Sequence, residues 1–184
     1  MVRVDITERM RSRAASRAER MGILPSSFTK GKGALHGFVG EYMVIDYLSG
    51  DQDAEPDDTF AYDININGYG LDVKTKRSNY APIPRHYCDI PEVQRNQNCY
   101  MYAFCQTDFD LTVGWIVGWI RKREFFQKAR FVPKGEYNEK IKWTCRESCY
   151  SLQIKHLNKI EPLKEYYDLS CDMGMAQGIE EDHE

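Results

Sequence analysis

Apolar and polar residues alternate most cleanly from Asp63 to Lys76, a stretch reading Asp-Ile-Asn-Ile-Asn-Gly-Tyr-Gly-Leu-Asp-Val-Lys-Thr-Lys. A period of two marks strands buried on one face. Asn67-Gly68 stands at the centre, and both residues tolerate the positive φ of a tight turn, so a hairpin is predicted. In its first arm Asp63, Asn65 and Asn67 oppose Ile64 and Ile66. In its second, Asp72, Lys74 and Lys76 share one face, and Leu71, Val73 and Thr75 take the other. The hairpin thus gathers two carboxylates and an ammonium.

Helical spacing flanks it. Residues 5–21 carry Ile6, Met10, Ala14, Ala18 and Met21 as a thin apolar stripe, with Thr7 or Asp5 placed to cap the first turn. Arg9, Arg13, Arg17 and Arg20 follow the same spacing beside it. Such a row either tracks a phosphate backbone or is a solvated helix face, the commoner case. Gly22 ends this helix, and residues 24–27 read as a linker. Gly31-Lys32-Gly33 lacks the spacing of a phosphate-binding loop.

A second helix is predicted over 34–49, burying Leu35, Phe38, Tyr42 and Ile45, with Val39 and Leu48 at the margin. Glu41 lies beside that face, and His36 one turn earlier. Residues 50–58 form an acidic loop without the order of a Ca²⁺ loop. Proline breaks 77–98, where Arg77, Arg85 and Arg95 interleave with Tyr80 and Tyr87; this suits a loop gripping DNA backbone or a flipped base, or an ordinary surface loop. Gln94 and Gln97 close it. Strands are predicted at 99–105 and, in a central position, at 112–120, which is apolar on both faces. A basic helix at 121–130, further strand or irregular pairing at 141–160 and a terminal helix at 161–169 complete the chain.

Composition changes the picture in three places. The 184 residues suit one domain, taken as 1–169 with a core at 34–130. No apolar run approaches the ~20 residues of a membrane span, and the first residues lack a signal core, so a cytoplasmic protein without membrane contact is expected. The six cysteines follow no Cys-x-x-Cys pattern, and Cys145, Cys149 and His156 make only a weak zinc signature. Residues 168–184 hold six acids and no Lys or Arg, which leaves +3 for residues 1–167 once that −6 is removed from the formal −3. A mildly basic body with an acidic, disordered tail at 170–184 is compatible with nucleic acid.

Two aspartate oxygens are hard ligands suited to Mg²⁺, and a lysine two residues along the same face can polarise a phosphate or hold a water. Alone, Asp-x-Lys is common and reads as a solvated pair. The spacing adds more. Asp63, the turn, then Asp72-Val73-Lys74, preceded by Gly37-Phe38-Val39-Gly40-Glu41-Tyr42 on a helix, resembles the PD-(D/E)xK nuclease superfamily, with Tyr62 where the motif's name has Pro. The resemblance spans about residues 34–130. It implies an α/β, restriction-endonuclease-like fold, a central mixed β-sheet of about four to six strands flanked by helices.

It further implies a metal-dependent deoxyribonuclease, with Glu41, Asp63, Asp72 and Lys74 as catalytic residues. Mg²⁺, or Mn²⁺ as substitute, would be held by Asp63, Asp72, the Val73 carbonyl and Glu41. Lys76, Arg77, Arg85, Arg95, Gln94 and Gln97 are the candidate DNA contacts, and Gln94 and Gln97 compete for the glutamine that several related nucleases use. The acidic loop leaves little room for the strand expected before Asp63: it is compressed near 59–62, or the topology differs. Nucleases of this fold often dimerise, and the stripe on 5–21 is a candidate interface. The alternatives are a non-catalytic nucleic-acid-binding or assembly protein on the same fold, and a metal-dependent phosphohydrolase acting on nucleotides.

Overall fold

Both predicted arms of the hairpin join a five-stranded mixed sheet in the computed structural model, which describes residues 1–21, 33–57, 61–139 and 143–167. In chain order the elements are β1 (Val2–Asp5), α1 (Glu8–Met21), α2 (Ala34–Ser49), β2 (Ile64–Ile66), β3 (Tyr69–Arg77), β4 (Tyr87–Pro91), β5 (Met101–Thr107) and β6 (Val113–Arg121). Then follow α3 (Lys122–Lys128), β7 (Arg130–Val132), β8 (Tyr137–Asn138), β9 (Trp143–Thr144) and β10 (Cys149–Gln153). Residues 161–167 are helical, and the predicted tail at 170–184 lies outside the described residues. The main sheet runs β1-β6-β5-β3-β2; β3 and β5 are parallel and the other pairs antiparallel. The molecule is therefore mixed α/β, with helices against its central sheet.

The turn chemistry holds. Asn67 and Gly68 take φ of 53° and 82°, and Ile64, Asn65 and Ile66 face Leu71, Gly70 and Tyr69 in register. Two positive angles in a two-residue loop match the twist of the flanking strands. The first helix is shorter than predicted. Thr7 Oγ1 accepts from the Met10 N–H at 3.2 Å and caps α1, while residues 2–5 pair with β6, Val2 opposite Ile116 through Asp5 opposite Val113. Val2 and Val4 alternate with polar residues and pack against the core, so this segment satisfies its backbone better as an edge strand.

α2 is buried on more than one side because it lies between α1 and the sheet. Val39 and Leu48, predicted at its margin, are inaccessible, and Met43 and Val44 join them. Gly40 sets how closely it approaches β3: a Cβ there would stand 1.9 Å from Thr75 Oγ1. Gly40→Ala is expected to cost about 1–3 kcal/mol in denaturant unfolding, since a packed interface resists added volume. Thr75→Ala in the same chain should return part of that, because Thr75 Oγ1 is buried with no hydrogen-bond partner to lose.

The opposite sheet face carries a second core of Tyr102, Phe104, Val117, Ile120 and Phe125, covered by Ile90 of β4, Leu152 of β10 and α3. There β4-β10-β7 forms its own antiparallel sheet. The stretch read as a broken loop thus contains a strand, β4. Among the described residues no strand stands between α2 and β2, and the extra strand β1 sits at the far edge of the sheet. The predicted place for a compressed strand, 59–62, is described only at 61 and 62, neither of which is strand. No helix among the described residues is long and apolar enough to cross a membrane.

Candidate active site

β2 pairs with only Tyr69–Leu71, whereas β5 pairs with Leu71 through Arg77, so β3 continues for six residues beyond its outer neighbour. No strand among the described residues pairs with that edge, and Asp63 occupies its start. Its N–H donates to the Leu71 carbonyl at 3.0 Å, and its Oδ2 accepts from the Val73 N–H at 2.7 Å. In an extended strand one residue's N–H and C=O point to the same side, so the Val73 carbonyl faces Asp63 as well.

Asp72 and Lys74 rise from the face opposite Leu71 and Val73. Lys74 Nζ lies 2.6 Å from Asp72 Oδ2, and the Gln97 side chain clamps the pair. Its Nε2 donates to Asp72 Oδ1 and, at 3.3 Å, to the Ala61 carbonyl; its Oε1 accepts from Lys74 Nζ at 3.2 Å. Lys122 Nζ donates to the Gln97 carbonyl, holding the clamp from behind. Asp72 is 3% exposed, with its Oδ2 against the Lys74 ammonium and its Oδ1 against the Gln97 amide.

Glu41 approaches from α2. Its Oε2 lies 2.7 Å from Arg17 Nη1, both residues are buried, and Arg17 also donates to the Asp57 carbonyl at 3.3 Å. The three carboxyls are near enough to disturb one another. Burial and then the charge of Asp63 push Glu41 well above the carboxylate range, against the pull of Arg17. Burial and then Asp72 raise Asp63 to about 7. Burial also raises Asp72, while Lys74 and Gln97 hold it back. Crowded, desolvated carboxylates favour a proton or a cation.

The donor set of Asp63, Asp72 and the Val73 carbonyl is all hard oxygen, and its two buried carboxyls lie close enough for one to raise the other; both features fit Mg²⁺. Glu41 does not stand ready with them. Among the described residues no three His, Cys, Asp or Glu side chains form a cation cluster, and Glu41 is committed to Arg17. The zinc reading fares no better: Cys145 and Cys149 are 3.9 Å apart at sulfur, and no third ligand joins them among the described residues.

The other predicted contacts scatter. Lys76 lies 3.7 Å from Asp89; Arg77 stacks over Phe109; Arg85 is exposed; Arg95 donates to Tyr150 Oη at 2.7 Å and lies over the Tyr150 ring. Between the two glutamines the geometry selects Gln97, for Gln94 Oε1 is buried without a partner. His36 bonds Thr107 Oγ1 at 2.8 Å instead of turning to the carboxylates. Three of the four arginines in the row are engaged within the chain: Arg9 pairs with Asp53, Arg13 with Asp46 and Glu55, and Arg17 with Glu41. Arg17 and Lys122 were missed as site residues; helical periodicity carries no signal of partners 24 or more positions away. No protein-family model matches the chain, and no curated protein matches it significantly.

Proposed function

We propose that the protein is a Mg²⁺-dependent nuclease hydrolysing phosphodiester bonds in DNA, built on a restriction-endonuclease-like scaffold. One observation carries the reading: Asp63 and Asp72 are buried close enough for the charge of Asp72 to raise Asp63, beside Lys74, where no described strand pairs with the edge of β3. Asp63, Asp72 and the Val73 carbonyl would hold the ion, with Glu41 joining directly or through water. When bound, Mg²⁺ supplies an activated water and offsets charge on the phosphate oxygens. Lys74 holds or deprotonates the attacking water, or stabilises charge on the phosphate. Gln97 fixes the Asp72 and Lys74 side chains relative to each other. Lys76, Arg77 and Arg85 supply positive charge along the strand and loop beyond.

The pairing of Glu41 with Arg17 favours a second reading, a non-catalytic nucleic-acid-binding protein that keeps this fold. Incubation with plasmid, linear and single-stranded DNA decides between them. The nuclease cuts at least one of these with Mg²⁺, stops on chelation, and loses activity as Lys74→Ala while its circular dichroism is unchanged. Binding without cutting on all three would establish the second reading. If cutting is found, Gln97→Ala should slow it about 10–100-fold at saturating Mg²⁺, the usual effect of losing a residue that orients metal ligands.

A further inference from the structure

A cavity of about 250 Å³ opens beside the site, with Lys74 and Lys76 of β3 in one wall and Tyr87 of β4 in another. Phe104, Val117 and Ile154 line it, and the first two are at most 5% exposed, so its depth is apolar. Tyr87 is 47% exposed and stands at the mouth. Asp89 and Gln106 also line it: Asp89 accepts from Ser151 Oγ at 2.5 Å, and Gln106 donates its Nε2 to the Tyr80 carbonyl, which leaves its Oε1 as the acceptor end of the amide.

Charge and size together select the occupant. Lys76 is matched by Asp89 at 3.7 Å, and a carboxylate in the wall repels phosphate. The volume falls below the ~300–1,000 Å³ of pockets for drug-sized ligands, which suits a single ring system rather than a whole nucleotide. An aromatic wall with carboxylate and carboxamide acceptors fits a flat, neutral heterocycle that carries N–H donors. We infer that this cavity receives one unpaired nucleobase from the strand whose phosphate lies at Lys74, stacked on Tyr87 and hydrogen-bonded through its amino edge to Asp89 and Gln106. The inference rests on the nuclease reading for the position of that phosphate. Extrusion costs least where a base is already mismatched or single-stranded, so such DNA is the preferred substrate.

Binding tests this without any cutting. The probes are three otherwise identical duplexes in chelator: fully matched, carrying one mismatch, and carrying facing abasic sites that give flexibility but no base. Anisotropy should show the mismatch bound about tenfold more tightly than either of the others, as relief of unstacking implies. Tyr87→Ala and Asp89→Asn, neither in the catalytic set, should each erase that preference. Equal affinity for the three duplexes overturns the inference, as does a preference that survives both substitutions. Plasmid cutting by Mg²⁺ without a mismatch preference leaves the nuclease reading standing and removes this one. A mismatch preference without cutting does the reverse.

Discussion

Asp63→Asn is expected to give a metal-free protein more stable than the parent at pH 8 and, on the nuclease reading, one that cuts DNA far more slowly. Burial and the neighbouring Asp72 raise Asp63 to about 7 in the folded chain, against about 4 for an ordinary aspartate. Between those values the folded state binds more protons than the unfolded state, so stability falls as pH rises from about 4 to about 7. Above 7 the loss is complete. Asparagine has no proton to release, and its Oδ1 still accepts from the Val73 N–H. The variant should gain on the order of 1–3 kcal/mol at pH 8 and little at pH 4. Thermal unfolding in chelator across that range measures it; a variant with the parent's pH slope would show that another group titrates. Mg²⁺ should raise the parent's Tm more at pH 8 than at pH 5, since a protonated carboxylate is a poor ligand. Loss of one such ligand should lower the cutting rate by at least about a hundredfold.

Arg17→Met comes second in expected size. The guanidinium is 6% exposed, lies 2.7 Å from Glu41, donates to the Asp57 carbonyl and sits 5.0 Å from the centre of the Phe38 ring. Removing one partner of a buried pair costs about 3–5 kcal/mol, because the other charge stays behind without compensation. Arg17 is one of the influences that hold the Glu41 carboxyl down, so its loss pushes that carboxyl higher still. The deficit should therefore be larger at pH 8, where Glu41 is driven to ionise, than at pH 5. Adding Glu41→Gln should recover part of it, and the double-mutant cycle in urea gives the coupling directly. If the two losses simply add, Arg17 acts through Phe38 and Asp57 rather than through Glu41.

What could be read without coordinates was local. Asn67-Gly68, the limits of α2 and the strands β5 and β6 announce themselves through turn chemistry and periodicity spanning a few residues. The Asp63, Asp72 and Lys74 grouping belongs with them, because one hairpin register brings all three together. Pairings set by tertiary contact did not show. Val2–Asp5 is too short for its alternation to announce a strand, so β1 goes unread and its last residue falls inside the predicted helix. The arginine row looked solvated because its partners, Glu41, Asp46, Asp53 and Glu55, lie in α2 and the loop after it. Choosing Gln97 over Gln94 needed the path of the chain through residues 78–100, which no periodicity describes.

The short β2 has a consequence for solubility. A long strand with one uncovered side invites a foreign strand to add to it, and natural sheets deter that with charge. Along the part of β3 that no described strand pairs on this side, that deterrent is supplied by Asp63, Lys74 and Lys76. The ionic groups assigned to chemistry thus also keep neighbouring copies of the chain from zipping together, and variants that neutralise several at once should precipitate at concentrations the parent tolerates.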